Sequence, residues 1–429
     1  MRYARVSLGG ILLFVTTAQA LAGTVDAKLL DMLLANGSIT RAQHTELTAD
    51  LLKEQRAEQR ASRQKLDREE FNAFQQVAGW VSSTQLRGDM RVRHEGSNTE
   101  GEQNGGGRDR SRQRIRARLG AFTQVNSSVE VGIQLASGND AQNRSTNQDL
   151  DNYFAKKDTW FDLGYIDYHP QSVPGLKMLA GKMKQPWVSV ADAMWDTDIN
   201  PEGFAAQYQR KNGTTTLFGS TSYMILKDNV LGQGVGFDDD LAMYQAQGGI
   251  TFDFGDARLT FGGSWNDFHN DEQSAPTPVI ALRGFGNTTD EFSLYEAFSQ
   301  VDIVGLPLPL SLYGQYIKNA ESHDFGTGTD GDEDTAWLLG LRTNVFGVAL
   351  DYNYRDVEAN AVVGTLTDSD FAAGFTNSWG HKIKAQYDFL KNCNLTVTWF
   401  IAESDAASRF EPDGAAVDTL MIDLNARFP

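Results

Sequence analysis

Hydrophobic and polar side chains alternate along most of the chain from about residue 81 onward, which is the pattern of β-strands with one apolar face. In the first such run, Met90 and Val92 alternate with Arg91 and Arg93. A strand of roughly ten residues with one apolar face is what a tilted crossing of a lipid bilayer requires. The pattern therefore predicts membrane-crossing strands. Further runs lie at 115–121, 129–135, 259–265, 310–316, 348–354, 383–389, 395–401 and 420–428.

The connections between these runs alternate in length. Short links such as 124–127, 211–213 and 253–256 alternate with polar stretches of roughly 12–22 residues. Outer-membrane barrels alternate short periplasmic turns with long external loops in this way, and both chain ends then lie in the periplasm. A soluble sandwich or propeller would not alternate its loop lengths, and no fixed internal repeat occurs. The long stretches are 94–111, 138–157, 183–203, 224–239, 269–290, 319–333, 358–377 and 405–416.

We therefore predict an all-β fold, a transmembrane antiparallel β-barrel of about 16 strands. The barrel must close, because a free strand edge would leave unpaired backbone groups in hydrocarbon at a cost of several kcal/mol each. With about sixteen strands the interior is too wide for side chains to fill, so an aqueous channel remains.

Residues 1–22 have the pattern of a secretory signal peptide. Arg2 and Arg5 precede an apolar run of roughly ten residues, and small residues around Ala20 fit a cleavage site. Ten apolar residues are too few to span a bilayer of roughly 30 Å as a helix. We expect this segment to be removed.

The residues between the signal peptide and the barrel have a helical pattern. They contain leucines at helical spacing and lack proline from 25 to 76. Asn36-Gly37 predicts a helix end, and Thr40 with Gln43 predicts the capping box of a second helix. That helix becomes almost wholly polar, so it is either a short oligomeric coiled coil or a solvated spacer. The expected domains are 1–22 (signal peptide), 23–78 (helical periplasmic segment) and 79–429 (barrel).

Composition narrows the function classes. The formal net charge of −18 argues against binding nucleic acid, which selects basic patches. The single cysteine, Cys393, excludes a disulfide framework. The six histidines are scattered, and no nucleophile elbow or metal-ligand spacing occurs. We therefore expect no enzyme activity, no catalytic residues, no metal and no cofactor.

The first two strands carry arginines at alternate positions, so that the arginines of each strand share one face. Paired as neighbours, they would form a cationic wall inside the barrel that sets ion preference in the pore. Alternatively, lumen carboxylates such as Asp89 and Asp423 neutralise them, and they only brace the wall. The pore-lining candidates are Arg87, Arg91, Arg93, Arg112, Arg114, Arg116 and Arg118.

The third long stretch, 183–203, is the second candidate site. It combines two tryptophans with clustered carboxylates. Such a loop could fold into the lumen, face the arginines and form a constriction, or it could remain an ordinary external loop. The constriction-loop candidates are Asp192, Asp196, Asp198 and Glu202.

Several of these segments resemble the bacterial putative porin family. The most specific match is WDTDINPEG at 195–203, and looser similarity extends to phosphate-selective porins. The other matching segments are 29–40, 114–120, 145–148, 165–168 and 180–186.

The resemblance implies an outer-membrane porin for passive diffusion of small solutes or ions, assembled as a homotrimer. Its expected partners are outer-membrane lipids, lipopolysaccharide and the barrel assembly machinery. Such barrels usually end on an aromatic residue, whereas Pro429 follows Phe428 here. The alternative function is a structural tether or adhesin of the outer membrane whose barrel is plugged by loops.

Overall fold

The structure is a computed structural model that describes most of the chain after the expected signal peptide. The 1–22 segment and Pro429 lie outside the described residues. The described residues are 28–99, 110–139, 142–228, 230, 239–271, 282, 284–322, 333–406 and 414–428.

The N-terminal unit contains two helices, α1 (28–35) and α2 (Arg41–Ser83). Gly37 adopts a left-handed conformation with φ +78° at the end of α1. The Thr40 N–H donates to Gln43 Oε1 at 2.9 Å, and the Gln43 N–H donates back to Thr40 Oγ1 at 3.3 Å. This is the predicted capping box. Helix α2 continues to Ser83, past the expected boundary at 78, and no described helix is long and apolar enough to cross a membrane.

The second unit is a closed antiparallel barrel. Sixteen strands form the wall, because β1 pairs with both β2 and β17, while the two-residue β4 pairs only with β2. The predicted fold class and strand number are therefore confirmed. The strands are β1 (Thr84–Thr99), β2 (Arg110–Asn126), β3 (Val129–Ser137), β4 (Gln148–Asp149), β5 (Thr159–Tyr168), β6 (Leu176–Lys182), β7 (Glu202–Asn212), β8 (Thr215–Lys227), β9 (Leu241–Asp253), β10 (Ala257–His269), β11 (Ser293–Ile303), β12 (Leu310–Asn319), β13 (Thr335–Val345), β14 (Val348–Val357), β15 (Ser378–Leu390), β16 (Cys393–Ser404) and β17 (Ala415–Phe428).

The two faces of the wall differ in polarity. Outward side chains are large and apolar, and Leu119 (54% exposed) and Trp399 (45%) are typical of them. Inward side chains are mainly polar, as at Gln245, Asn353 and Thr396, which are all buried. An apolar outer face with a polar interior is the pattern of a barrel that sits in lipid and encloses water.

The connections differ in length at the two ends of the barrel. At one end, two to seven residues join consecutive strands, as between Asn126 and Val129. Strand β1 begins and β17 ends at this same end, where Gly88 pairs with Phe428. The long connections lie at the other end, and two of them contain the candidate site described below.

Candidate functional site

The third long connection, residues 183–201 and hereafter the third loop, lies inside the barrel. The Val188 N–H donates to Gln247 Oε1 on β9 at 2.7 Å, and Arg342 Nη2 on β13 donates to the Val190 carbonyl at 2.9 Å. Further on, Asp192 binds Arg355 on β14. Strand β14 lies eight places from β6 in the sixteen-stranded wall, directly opposite the base of the loop. The third loop therefore crosses the lumen.

Two glycines at the base of the third loop allow this inward turn. Gly181 and Gly203 pair across β6 and β7, with φ +116° and +149°. A Cβ atom on Gly203 would overlap the carbonyl oxygen of Tyr223, and one on Gly181 would overlap that of Gly164. Only glycine adopts these conformations without strain, so both residues are needed where the loop leaves the wall.

Asp192 anchors the tip of the third loop to the far wall. Its carboxylate accepts from Arg355 Nη2 at 2.6 Å and also binds Lys382 Nζ on β15. Burial alone would raise the pKa of Asp192, but Arg355 and Lys382 hold that pKa well below its ordinary value. Asp192 is therefore a permanent anion that pairs with two buried cations.

The seventh long connection, residues 358–377 and hereafter the seventh loop, packs against the third loop. The Asp196 N–H donates to the Leu366 carbonyl at 2.9 Å, and Thr367 Oγ1 donates to the Ala193 carbonyl at 2.7 Å. In return, the Ser369 N–H donates to Asp196 Oδ2 at 2.9 Å. In the sequence, 358–377 is a long polar stretch without a signal for this inward fold.

An apolar cluster holds the two loops against the wall. The rings of Trp187 and Trp195 lie 5.0 Å apart, and Met194 and Val363 are fully buried beside them. These side chains pack on apolar residues of the inner face near the long-loop end, such as Leu338. Inward apolar positions there were the available sequence signal, because a lumen that held only water would be lined by polar residues.

The Asp196 carboxyl group lies between the loops with an altered protonation equilibrium. Burial is the largest cause that raises the pKa of Asp196, and the neighbouring carboxylate of Asp368 is the second; together they bring that pKa to about 8. The N–H groups of Asp198 and Ser369 act in the opposite direction, because they donate hydrogen bonds to the Asp196 carboxylate. The group is therefore largely protonated in the folded protein at neutral pH.

We expect the contact between the two loops to weaken as the pH rises through about 8. An unfolded aspartate ionises near 3.8, so the stabilisation is complete below that pH and is lost as the folded group ionises beside Asp368. Thermal unfolding between pH 6 and pH 9 checks this expectation. The unfolding temperature of the wild type should fall over this range. The part of the fall that is due to ionisation at position 196 should be absent in Asp196→Asn, because an amide does not ionise. Identical profiles for the two proteins would contradict it.

The seven predicted arginines lie on one inner face. In the register of β1 and β2, Arg93 lies opposite Arg114 and Arg91 lies opposite Arg116. Arg118 lies opposite Asp89. A row of guanidinium groups therefore follows two neighbouring strands.

The arginines near the long-loop end are paired with carboxylates. Glu95 binds both Arg112 and Arg114, and Asp149 lies 2.9 Å from Arg114 Nε. Arg93 forms a two-point pair with Asp423 on β17, at 2.7 and 2.9 Å. Arg93 also lies 3.3 Å from Asp370 of the seventh loop. These three arginines fit the bracing interpretation, since carboxylates of the wall, of β4 and of the seventh loop neutralise their charge.

The remaining arginines differ from one another in their partners. Arg116 and Arg118 share Asp89, at 2.9 and 2.8 Å. Arg91 Nη2 donates to the neutral Asn147 side chain at 2.6 Å and lies 4.0 Å from Asp423. Arg87 lies over the ring of Phe122, with its Cζ atom 4.9 Å from the ring centroid.

Of the four predicted loop carboxylates, only Asp198 faces the predicted arginines. It lies 3.8 Å from both Arg116 and Arg118. Burial would raise its pKa, but the surrounding cations, chiefly Arg116, lower it below the ordinary value. Asp198 is therefore an anion on the arginine wall.

The other three carboxylates lie elsewhere, which corrects the expectation of a single acidic face. Asp192 reaches Arg355 and Asp196 reaches the seventh loop. Glu202 is the first residue of β7, shares the outward parity of Phe204, and pairs with Lys182 at 2.6 Å. The expected loop ends at 203, which would start β7 at 204, but β7 begins two residues earlier, so Glu202 is not a loop residue. Within the described ranges, no group of three or more potential metal-binding side chains occurs.

A family model and a curated protein are similar to parts of this chain. A family described as putative porin matches residues 105–300 and 345–428. A curated relative, phosphate starvation-inducible protein 1 of Pseudomonas fluorescens, is 63% identical over 35 residues, which are 8% of this chain and 90% of that protein.

Solved porins are also similar to this chain. A Salmonella typhi OmpF complex with daunomycin matches with a TM-score of 0.48 at 13% identity, over 80% of this chain and 97% of that one. A triple mutant of Rhodopseudomonas blastica porin matches with a TM-score of 0.44 at 10% identity, over 80% of this chain and 100% of that one.

Proposed function

Because this chain belongs to the putative porin family, we propose that it is an outer-membrane channel for passive diffusion of small solutes and ions, with a preference set by its inner wall. The observation that carries the proposal is the closed wall of sixteen strands with polar inward faces. A wall of this circumference encloses more space than side chains fill, so water occupies the remainder.

The two inward loops narrow this space and also reach β1 and β2, where Asp370 lies 3.3 Å from Arg93 and Asp198 lies 3.8 Å from Arg116. The third loop crosses to β14 and β15, and the seventh loop packs beside it. We infer that solutes pass along the part of the lumen bordered by β1 and β2. Four arginines then border the path. Arg116 and Arg118 share the carboxylates of Asp89 and Asp198, whereas Arg91 lies 4.0 Å from Asp423 and Arg87 has no carboxylate partner among the described residues. The result is a local bias toward anions despite the acidic total charge.

Two further features belong to the proposal. Both chain ends lie in the periplasm, because the short connections mark that side in outer-membrane barrels. The barrel assembles as a trimer, and helices α1 and α2 contribute to that assembly as a short coiled coil. Deleting residues 23–78 should therefore dissociate the trimers while leaving the conductance of each barrel intact.

The test of channel activity is a recording in planar lipid bilayers. The current should rise in equal steps as single channels of the purified protein insert. The current of each channel should be proportional to voltage, because the pathway is a water-filled passage. The control is the heat-denatured sample. A sample that migrates as a folded barrel before heating, yet gives no current in repeated insertions, would contradict the proposal and favour the plugged tether.

A further inference from the structure

We propose that the short-turn end of the arginine wall contains a binding site for small oxyanions, an inference that rests on the channel function. The site is a cavity of about 540 Å³ next to the start of the third loop. Strands β1, β2, β3 and β17 contribute to it. We name six of its lining residues the inner site: Arg87, Asp89, Arg118, Gln134, Lys184 and Arg427.

The inner site has an excess of positive charge. Four cations and one carboxylate, Asp89, line it, and Asp198 lies 3.8 Å from Arg118. Asp89 is already engaged, because it accepts from Arg116 and from Arg118. Among the described residues, no carboxylate forms an ion pair with Arg87, Lys184 or Arg427.

The polar contacts of the unpaired cations are with neutral groups. Lys184 Nζ donates to the amide oxygen of Asn200 at 2.8 Å. Arg87 donates to the side-chain oxygen of Gln85 and lies over the ring of Phe122. These contacts orient the cations. Lys184 also interacts electrostatically with the carboxylates of Asp162 and Asp198, so Arg87 and Arg427 are the cations of the inner site that no carboxylate neutralises. The like charges repel one another until an anion enters.

The rest of the same wall shows that the excess is local. Toward the long-loop end, Glu95, Asp149 and Asp423 neutralise Arg112, Arg114 and Arg93 in turn. On β2 the transition falls between Arg114 and Arg118, which are about 13 Å apart at roughly 3.3 Å per residue. A permeating anion therefore meets unneutralised charge at one depth of the barrel.

The chemistry of these groups selects oxyanions. Guanidinium groups present parallel N–H donors that match the paired oxygens of a carboxylate, sulfate or phosphate, and an ammonium group adds a point charge. The amide of Gln134 borders the same cavity. The cavity accommodates a small tetrahedral anion with some of its water. Leu86 and Phe428 also border it, so the assignment rests on the charged groups. We therefore assign the inner site to small oxyanions as a class.

The experiment measures competition with chloride current in single channels at constant ionic strength. Sulfate, inorganic phosphate and acetate are added separately to the wild type and to the double variant Lys184→Gln with Arg427→Gln. The half-blocking concentration of sulfate or phosphate should rise at least about tenfold in the double variant, because two charge-assisted contacts are lost. The acetate arm shows whether a single carboxylate suffices or a tetrahedral dianion is required.

The matched control is Lys211→Gln with Arg258→Gln. These residues border a different cavity, next to β7 and β10, and their replacement removes the same number of charges of the same types. The control should retain the wild-type block. Channels that conduct chloride without competition from any of the three anions would overturn the proposal, as would an equal loss in both double variants. Failure of the underlying channel function would differ, since no chloride current would be recorded at all.

Discussion

Replacing Asp192 with alanine should release the third loop from the far wall and raise the single-channel conductance. The carboxylate is the point at which the loop tip binds Arg355 and Lys382, and Arg355 is almost fully buried. Removing one partner of a buried ion pair typically costs about 3–5 kcal/mol, because the other partner remains buried and uncompensated. Arg355 retains Asp368 at 3.1 Å, so we expect a cost near the lower end of that range.

Two measurements together check this expectation. Thermal unfolding should show a lower midpoint for Asp192→Ala, and bilayer recordings should show larger and noisier current steps as the loop leaves the lumen. The control is Glu202→Ala, since Glu202 is exposed on the outer face and pairs only with the partly exposed Lys182. If Asp192→Ala matched the wild type in both measurements, the proposed anchor would be wrong.

Replacing Gly203 with alanine should have the second large effect. Its φ of +149° is unfavourable for any residue with a Cβ atom, and the added atom would overlap the Tyr223 carbonyl oxygen. Backbone strain of this kind costs about 1–3 kcal/mol, and the overlap forces the β7–β8 pairing to shift as well. We expect Gly203→Ala to lower the yield of heat-resistant folded barrel and to change the conductance of the channels that do form.

Gly248→Ala is the matched control for this substitution. Gly248 lies on β9, and nothing lies within 4 Å of a Cβ atom added there. Folding yields and current steps of the two variants are compared under identical refolding conditions. Equal behaviour of Gly203→Ala and Gly248→Ala would show that the entry to the third loop tolerates an ordinary residue.

Much of the barrel could be predicted from the sequence because its signals are local. Alternation such as Met90, Arg91, Val92 and Arg93 follows from the period of two in a strand. The alternating link lengths fixed the strand number, which the closed sheet confirms. The Thr40 capping box also depends on neighbours only three residues apart, and its two hydrogen bonds are present.

The arrangement inside the barrel could not be predicted because its contacts are long-range. Arg93 binds Asp423, which lies 330 positions away and becomes a neighbour only when β17 closes on β1. Barrel closure also decides which arginines are neutralised. The position of a residue along a strand predicts the face on which its side chain lies, but it does not predict the residue with which that side chain pairs. The inward fold of the seventh loop depends on contacts with Ala193 and Asp196 of another loop. The local sequence of the seventh loop does not contain that information.

The most direct test of the account compares two neighbouring positions on β2 in single channels. In a Cys393→Ser background, Arg118→Cys places a thiol on the inner face and Leu119→Cys places one on the outer face. A charged, membrane-impermeant thiol reagent should lower the current through Arg118→Cys and leave Leu119→Cys unchanged, because only the first thiol borders the water-filled path. Unchanged current at Arg118→Cys, or equal modification of both positions, would contradict the claim that this face lines an aqueous channel.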